Sequence, residues 1–225
     1  MAVGAHHDDN DFIAGTLMRH RQAGWRVVSV VMTDGTYGAS GASADNIPIR
    51  EGESLAAAKL VGAECVFLHF TEGNFWPAEA SRMALLRAIR RHAPDVLITH
   101  PQHDCHPDHM NTSLCVRQTL GAVWNPCVEP ELPPCGSPKL YYCDAWFVPF
   151  EPDQYVDVSD LVDLKTRALQ CHKTQLPADA ADPHGMIEMG KARNRMRGIE
   201  AGVEYAEAFR LVPNLGSVRL TKVLG

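Results

Sequence analysis

Apolar residues along this chain alternate between two spacings, one suited to strands and one to helices. A short apolar opening, Ala2-Val3-Gly4-Ala5, precedes a helical pattern over 12–24, where Phe12, Ile13, Leu17 and Met18 share a face and Gly24 is the stop. Residues 26–32 form a β-branched run suited to a strand buried on both faces. The stretch 36–47, rich in Gly, Ala, Ser and Asn, reads as a loop. Residues 49–61 then read as a helix ended by Gly62, 64–70 as a strand, 79–92 as a helix and 95–100 as a strand. Pro107 opens a helix over 108–122, since proline suits a first helical turn. Beyond it, 125–138 is a Pro-, Cys- and Gly-crowded loop, 139–148 a strand and 159–172 a helix. Residues 182–208 carry helical patterning with breaks at Gly190, Gly198 and Gly202.

This alternation predicts an α/β fold, a Rossmann-like and mostly parallel sheet with helices on both faces. No repeat, low-complexity tract or long linker divides residues 1–225, so a single domain is expected. In open sheets of this kind ligands bind beyond the carboxyl ends of the strands. Two clusters of polar residues fall at such ends, at 6–11 and at 100–109. Two distant segments are therefore expected to meet on one rim.

Composition narrows the possibilities. With 45% apolar and 21% charged residues the chain is ordinary for a soluble globular protein. Its net charge of −6 disfavours a nucleic-acid partner, which usually calls for a basic surface. No apolar run approaches the roughly 20 residues of a membrane helix. The first residues lack the layout of a signal peptide, so a cytoplasmic location with no membrane partner is expected. An opening strand this short would suit a native start further upstream. The seven cysteines include no CxxC pair and are expected to be reduced thiols.

The clusters themselves point to a metal. His6-His7-Asp8-Asp9-Asn10-Asp11 packs three acids and two histidines into six residues, which is costly unless a cation offsets the repulsion. A polar helix cap explains one or two of the aspartates but not both histidines. The second cluster, His103-Asp104-Cys105-His106-Pro107-Asp108-His109, lies beside a helix start. Together they supply the two histidines and one carboxylate of a catalytic zinc site with an open position. A leftover carboxylate and histidine could then serve as base and oxyanion partner. A nucleotide-binding oxidoreductase fits the α/β pattern, but no GxGxxG follows the first strand.

The stretch Ala5-His6-His7-Asp8-Asp9 resembles the AHPDD signature of the LmbE/PIG-L-like deacetylases, and His106-Pro107-Asp108-His109 resembles their second signature. Thr33-Asp34-Gly35, Arg50 with Glu53, His172-Lys173-Thr174-Gln175 and the segment 202–209 look like further blocks of that family in the same order. The resemblance implies zinc-dependent hydrolysis of the N-acetyl group of an N-acetylglucosamine-type sugar, releasing acetate. It implies zinc on His6, Asp9 and His109, with Fe2+ or another divalent ion as an alternative. Asp8 would be the general base, His106 the oxyanion partner, and Asp108 would orient or charge His106. Arg50 would contact the substrate, and His172 would contact it or support the site. A homo-oligomer is compatible with the resemblance. The same residues would also serve an amidase acting on a larger amide such as a thiol conjugate, or a metal- or ligand-binding module without catalysis. One departure is His7, which stands where the family has proline. It could keep the same backbone shape, or add a ligand or a proton carrier. Tyr37 and Trp76, in expected rim loops, could stack on a sugar, and His184 could reach over the site.

Overall fold

The opening apolar residues form β1 (Ala2–Gly4), and a 3-10 turn over Asp9–Ile13 leads into α1 (Ala14–Gln22). Then come β2 (Val27–Thr33), the short strands β3 (Tyr37–Gly38) and β4 (Gly41–Ala42), α2 (Asn46–Val61) and β5 (Ala63–Phe70). Next are α3 (Glu79–His92), β6 (Val96–Thr99), α4 (Pro107–Leu120) and β7 (Lys139–Cys143). The series closes with β8 (Gln154–Asp157), α5 (Val162–Leu169), α6 (Met186–Ala201) and β9 (Ala206–Val212). The computed structural model describes residues 1–38, 41–145, 147–176 and 185–214.

Seven strands form one sheet in the order β5-β2-β1-β6-β7-β9-β8. The five from β5 to β7 run parallel, and β9 runs antiparallel to both β7 and β8. Successive strand residues point to opposite faces, so each buried strand feeds two cores. Val3, Val30 and Leu97 pack with Leu85 and Ile89 of α3 and Val116 of α4. Their neighbours Ala2 and Ile98, with Val27, pack on the other face with Leu17 of α1, Ala57 of α2 and Ala168 of α5. The expected α/β fold with helices on both faces is therefore present. Among the described residues no helix is long and apolar enough to cross a membrane, and all seven cysteines are free thiols.

The differences lie at the far edge and in the loops. The helical reading of 182–208 holds for α6 but not for β9, and residues 182–184 lie outside the described residues. Ala206-Glu207-Ala208-Phe209 has helix-favouring composition, yet all four residues are buried and paired with β8, Phe209 with β7 as well, and that pairing outweighs a weak propensity. Gly198 does not break α6. A Cβ there would stand 2.4 Å from the carbonyl oxygen of Glu204, so glycine admits the chain as it folds back. The strand expected over 139–148 ends at Cys143, β8 was not anticipated, and the 36–47 loop contains the β3–β4 hairpin.

One buried ion pair ties β9 to the helices that flank the rim. Glu207 Oε1 accepts from Lys165 Nζ (2.7 Å) and Gly15 N (3.1 Å), and Oε2 accepts from Thr16 N (2.7 Å). These amides belong to the first turn of α1, where helical partners are lacking and negative charge is favoured. Lys165 also donates to Asn194 Oδ1 (2.7 Å) and to the carbonyl of Phe12. Glu207→Ala strands a buried ammonium, so it should lower unfolding free energy by about 3–5 kcal/mol in urea titrations. A loss below about 1 kcal/mol would contradict this account of the edge.

Candidate active site

Chain order reverses between β1 and β6. From β1 the chain moves outward to β2 and β5, then returns to lay β6 and β7 on the other side. A crevice opens at such a reversal beyond the strand ends. The segment after β1 is pinned there tightly. A Cβ on Gly4 would meet Asp9 Cβ at 2.8 Å, so glycine lets the turn fold back over the strand end. Thr33 donates through its N–H (2.9 Å) and Oγ1 (2.7 Å) to the carbonyl of Ala5, and Asn10 Nδ2 donates to Ser29 Oγ (2.8 Å). After β6, His106 caps α4, its Nδ1 accepting the N–H of Asp108 at 3.2 Å. Pro107 starts the helix and places His109 in its first turn.

Donor atoms of three residues converge across the crevice, Asp9 facing His6 with Oδ2 and His109 with Oδ1. His6 Nδ1 lies 3.2 Å from His109 Nε2 and 3.3 Å from Asp9 Oδ2, and His109 Nε2 lies 3.3 Å from Asp9 Oδ1. Ligands of a tetrahedral zinc with bonds of about 2.0–2.1 Å stand about 3.3–3.4 Å apart, so the triangle fits such an ion. Each imidazole is backed by a carboxylate on its other nitrogen. His6 Nε2 is 3.3 Å from Asp108 Oδ2, and His109 Nδ1 is 3.2 Å from Asp104 Oδ1. These acids are held in turn: Asp108 accepts from Gly73 N (2.6 Å) and Phe75 N (3.2 Å), and Asp104 accepts from His106 N (2.9 Å). Such outer carboxylates fix the tautomer and aim the free lone pair inward.

Two other groupings are near enough to share an ion. The donor atoms of His6, His106 and His109, and those of Asp9, His100 and His109, lie within 4.8 Å of one another. His100 Nε2, however, already accepts from Ala5 N at 3.0 Å, and His106 has only Nε2 free, since its Nδ1 accepts the Asp108 N–H. His100 stands beside the triangle, stacked on His109 with ring centres 3.9 Å apart.

The local charges favour a cation. Burial alone would discharge the His6 ring, but the Asp9 charge and bonds to Asp108 and Asp9 outweigh it and raise the ring to about 10. His109 is likewise raised to about 10 against burial, by Asp9 and Asp104. The facing nitrogens, 3.2 Å apart, cannot both carry protons, so the site holds one positive charge between them. Asp9, though its carboxylate is mostly shielded from water, is held well below the usual carboxylate range by His109, His100 and His6. His106 is pushed down by burial and by the charges of His6 and His109, so it is a neutral ring.

Asp8 stands beside the triangle and lines a cavity of about 530 Å³, together with His6, Asp9, Arg50, His106 and His109. Arg50 NH2 reaches Asp8 Oδ1 at 3.4 Å, while NH1 is paired with Glu72 at 2.8 Å and donates to the carbonyl of Tyr37. Glu72 Oε2 accepts the N–H of Tyr37 at 3.0 Å, so one ion pair grips both backbone groups of that residue. Tyr37 lines the cavity, and Trp76 does not.

The structure thus brings His6, Asp8, Asp9, Arg50, His106 and His109 together. Two expectations take a narrower form. Asp108 orients the ring of His106 through its backbone N–H, while its carboxylate lies on His6 and accepts from the Gly73 and Phe75 amides. His172 is fully buried and lines no part of the cavity; its Nε2 holds Asp11 Oδ2 at 2.7 Å under the first cluster. His7 is turned away from the triangle and stacks on Phe67, and burial with the nearby Arg50 charge lowers it to about 3. His184 lies outside the described residues. Sequence reasoning missed Glu72, Asp104 and His100. The last two carried a signal, since each lies in the same histidine-rich window as His109.

Residues 1–120 match the model of the family described as PIG-L, GlcNAc-PI de-N-acetylase. The chain belongs to the PIG-L family. Its residues are 24% identical to the diacetylchitobiose deacetylase of Thermococcus kodakarensis, over 96% of this chain and 83% of that protein. The fold of this PIG-L member superposes on the N,N'-diacetylchitobiose deacetylase of Pyrococcus horikoshii with a TM-score of 0.83 and 24% identity, covering 94% of this chain and 82% of the other. It also superposes on GalB of Pseudomonas putida, a 4-carboxy-2-hydroxymuconate hydratase, with a TM-score of 0.82 and 22% identity, covering 100% and 98%.

Two outcomes follow from this geometry. Asp104→Ala frees the far nitrogen of His109 and should weaken zinc binding about 10–100-fold in chelator competition; unchanged affinity would contradict the backing role. A raised imidazole pKa means the empty site carries a proton at pH 7 that an incoming ion must displace. Calorimetry in buffers of different ionisation heat should therefore show release of about one proton per zinc, with affinity falling as pH falls. No proton release would contradict it.

Proposed function

We propose that this chain hydrolyses the N-acetyl group of an N-acetylglucosamine-type sugar, releasing acetate and a free amine. The observation that supports it best is the triangle of His6, Asp9 and His109 with a further carboxylate, Asp8, beside it in the same cavity. His6, Asp9 and His109 would hold a divalent ion, zinc by the donor set, with Fe2+ as the alternative. When bound, such an ion acts as a Lewis acid and makes water more acidic.

The chain's own residues supply the rest. Arg50 engages Oδ1 of Asp8, which leaves Oδ2 to take the proton of the attacking water and pass it to the leaving amine. His106 accepts the Asp108 N–H on Nδ1, so its neutral ring carries a proton on Nε2 to donate to the oxygen that becomes negative. Water oxygen bonds to the acyl carbon, the C–N bond breaks, the amine keeps the proton from Asp8, and acetic acid leaves, losing the second proton of the water to solvent as acetate. Arg50 is fully buried by its bonds to Glu72 and Tyr37 and serves here to position Asp8 and the Tyr37 ring. Activated water could also add to a double bond, as the likeness to a hydratase illustrates. The match of residues 1–120 to a de-N-acetylase family favours the amide.

Acetate and primary amine should appear in equal amounts from N-acetylglucosamine derivatives. Asp8→Asn should keep one zinc per chain and lose about 10²–10⁴-fold in kcat, the usual worth of a positioned base. Undiminished activity in chelated, metal-free protein, or in Asp8→Asn, would sink this reading.

A further inference from the structure

The cavity extends well beyond the triangle. It reaches α6, which packs on β9 through the Asn194 Nδ2 bond to the carbonyl of Ala206 at 3.0 Å. From β1 to β9 is three strand positions, or about 14 Å at the usual strand spacing. A cavity of about 530 Å³ is the size that encloses drug-sized ligands, more than one sugar ring needs.

The two ends differ in chemistry. The β1 end is rich in acids and imidazoles. The α6 end carries Met186 and Met189, and Phe12, Ile13, Phe147 and Ala208 add apolar lining to the cavity. Met186 and Met189 are three apart, on the cavity side of α6 with Arg193 and Asn194. Phe147 is 68% exposed there.

Among the described residues the polar groups near that wall are largely tied to one another, Arg193 to Asp144 at 4.0 Å. All three protons of Lys165 are used, on Phe12, Asn194 and Glu207. Glu207 is bound by Lys165 and two backbone amides, and Asn194 by Lys165 and Ala206. Asp144 is held by Arg197, at 2.6 and 3.0 Å. A second sugar laid against this wall would bury hydroxyls with few partners among the described residues, which is costly. An alkyl or aryl group would lose nothing, and thioether side chains adapt to irregular apolar shapes.

We propose that the α6 end of the cavity is a subsite for an apolar alkyl or aryl group carried by the substrate beyond its amide-bearing sugar. This rests on the deacetylase reading above and makes the chain selective for apolar glycosides over disaccharides.

The test compares the methyl, hexyl and phenyl glycosides of N-acetylglucosamine with diacetylchitobiose, using zinc-loaded protein. The hexyl and phenyl glycosides should exceed the methyl glycoside in kcat/KM by roughly tenfold or more, chiefly through KM. The disaccharide should be no better than the methyl glycoside. In Met186→Gln/Met189→Gln the hexyl-to-methyl ratio should fall toward one, and Met189→Leu should retain it. Calorimetry with the corresponding amine products gives an arm that needs no turnover: hexyl glucosaminide should bind roughly tenfold tighter than methyl glucosaminide. Equal binding or turnover of the hexyl and methyl forms, or preference for the disaccharide, would overturn the subsite alone. Amine release from none of the four substrates would overturn the deacetylase reading, and the binding arm would still decide the subsite.

Discussion

A carboxylate cannot stay ionised inside a protein without a compensating positive charge. Asp9 is such a carboxylate, and the chain surrounds it with three imidazoles rather than a lysine or arginine. Two of those rings turn their lone pairs toward the same point as Asp9, with carboxylates of their own behind them. The facing nitrogens are too close for two protons, so protons alone leave one lone pair turned on the Asp9 carboxylate. A divalent cation would engage all three groups. Most of the surrounding structure can be understood as holding that point open.

The fold places the point where few residues are needed to reach it. β1 and β6 are adjacent but lie on opposite sides of the reversal in strand order, so the segments after them diverge and leave a crevice. β1 needs only three residues because it is central and paired on both sides, and the turn after it is pinned by Thr33 of the neighbouring strand and by its own Asn10, which donates to Val30 there. The loop after β5 closes the third side. Its Glu72 carboxylate holds Arg50, and its Gly73 and Phe75 amides hold Asp108, which holds His6. Asp8 is thus positioned from α2, and His6 from α4.

The convergence of the two polar clusters was legible because their members sit in two short runs just after apolar strands, where position along the chain already implies position in space. The parallel half of the sheet was legible for the same reason, since each buried strand and its helix are consecutive. What stayed hidden was long-range choice. Asp108 neighbours His109 in the chain, yet its carboxylate serves His6, 102 residues away. Glu72 is one acid in a loop, with nothing local to mark its hold on Arg50. β9 looks helical residue by residue and becomes a strand because two neighbours offer it their edges. His172 carried the chemistry of a site residue, but burial makes it a support for Asp11.

The central claim is that His6, Asp9 and His109 are the ligands of a single ion. Zinc-edge anomalous diffraction from crystals of the zinc-loaded protein tests it most directly. The account predicts one dominant peak about 2.0–2.2 Å from His6 Nδ1, His109 Nε2 and an oxygen of Asp9. A strong peak elsewhere, or none among these three residues, would contradict it.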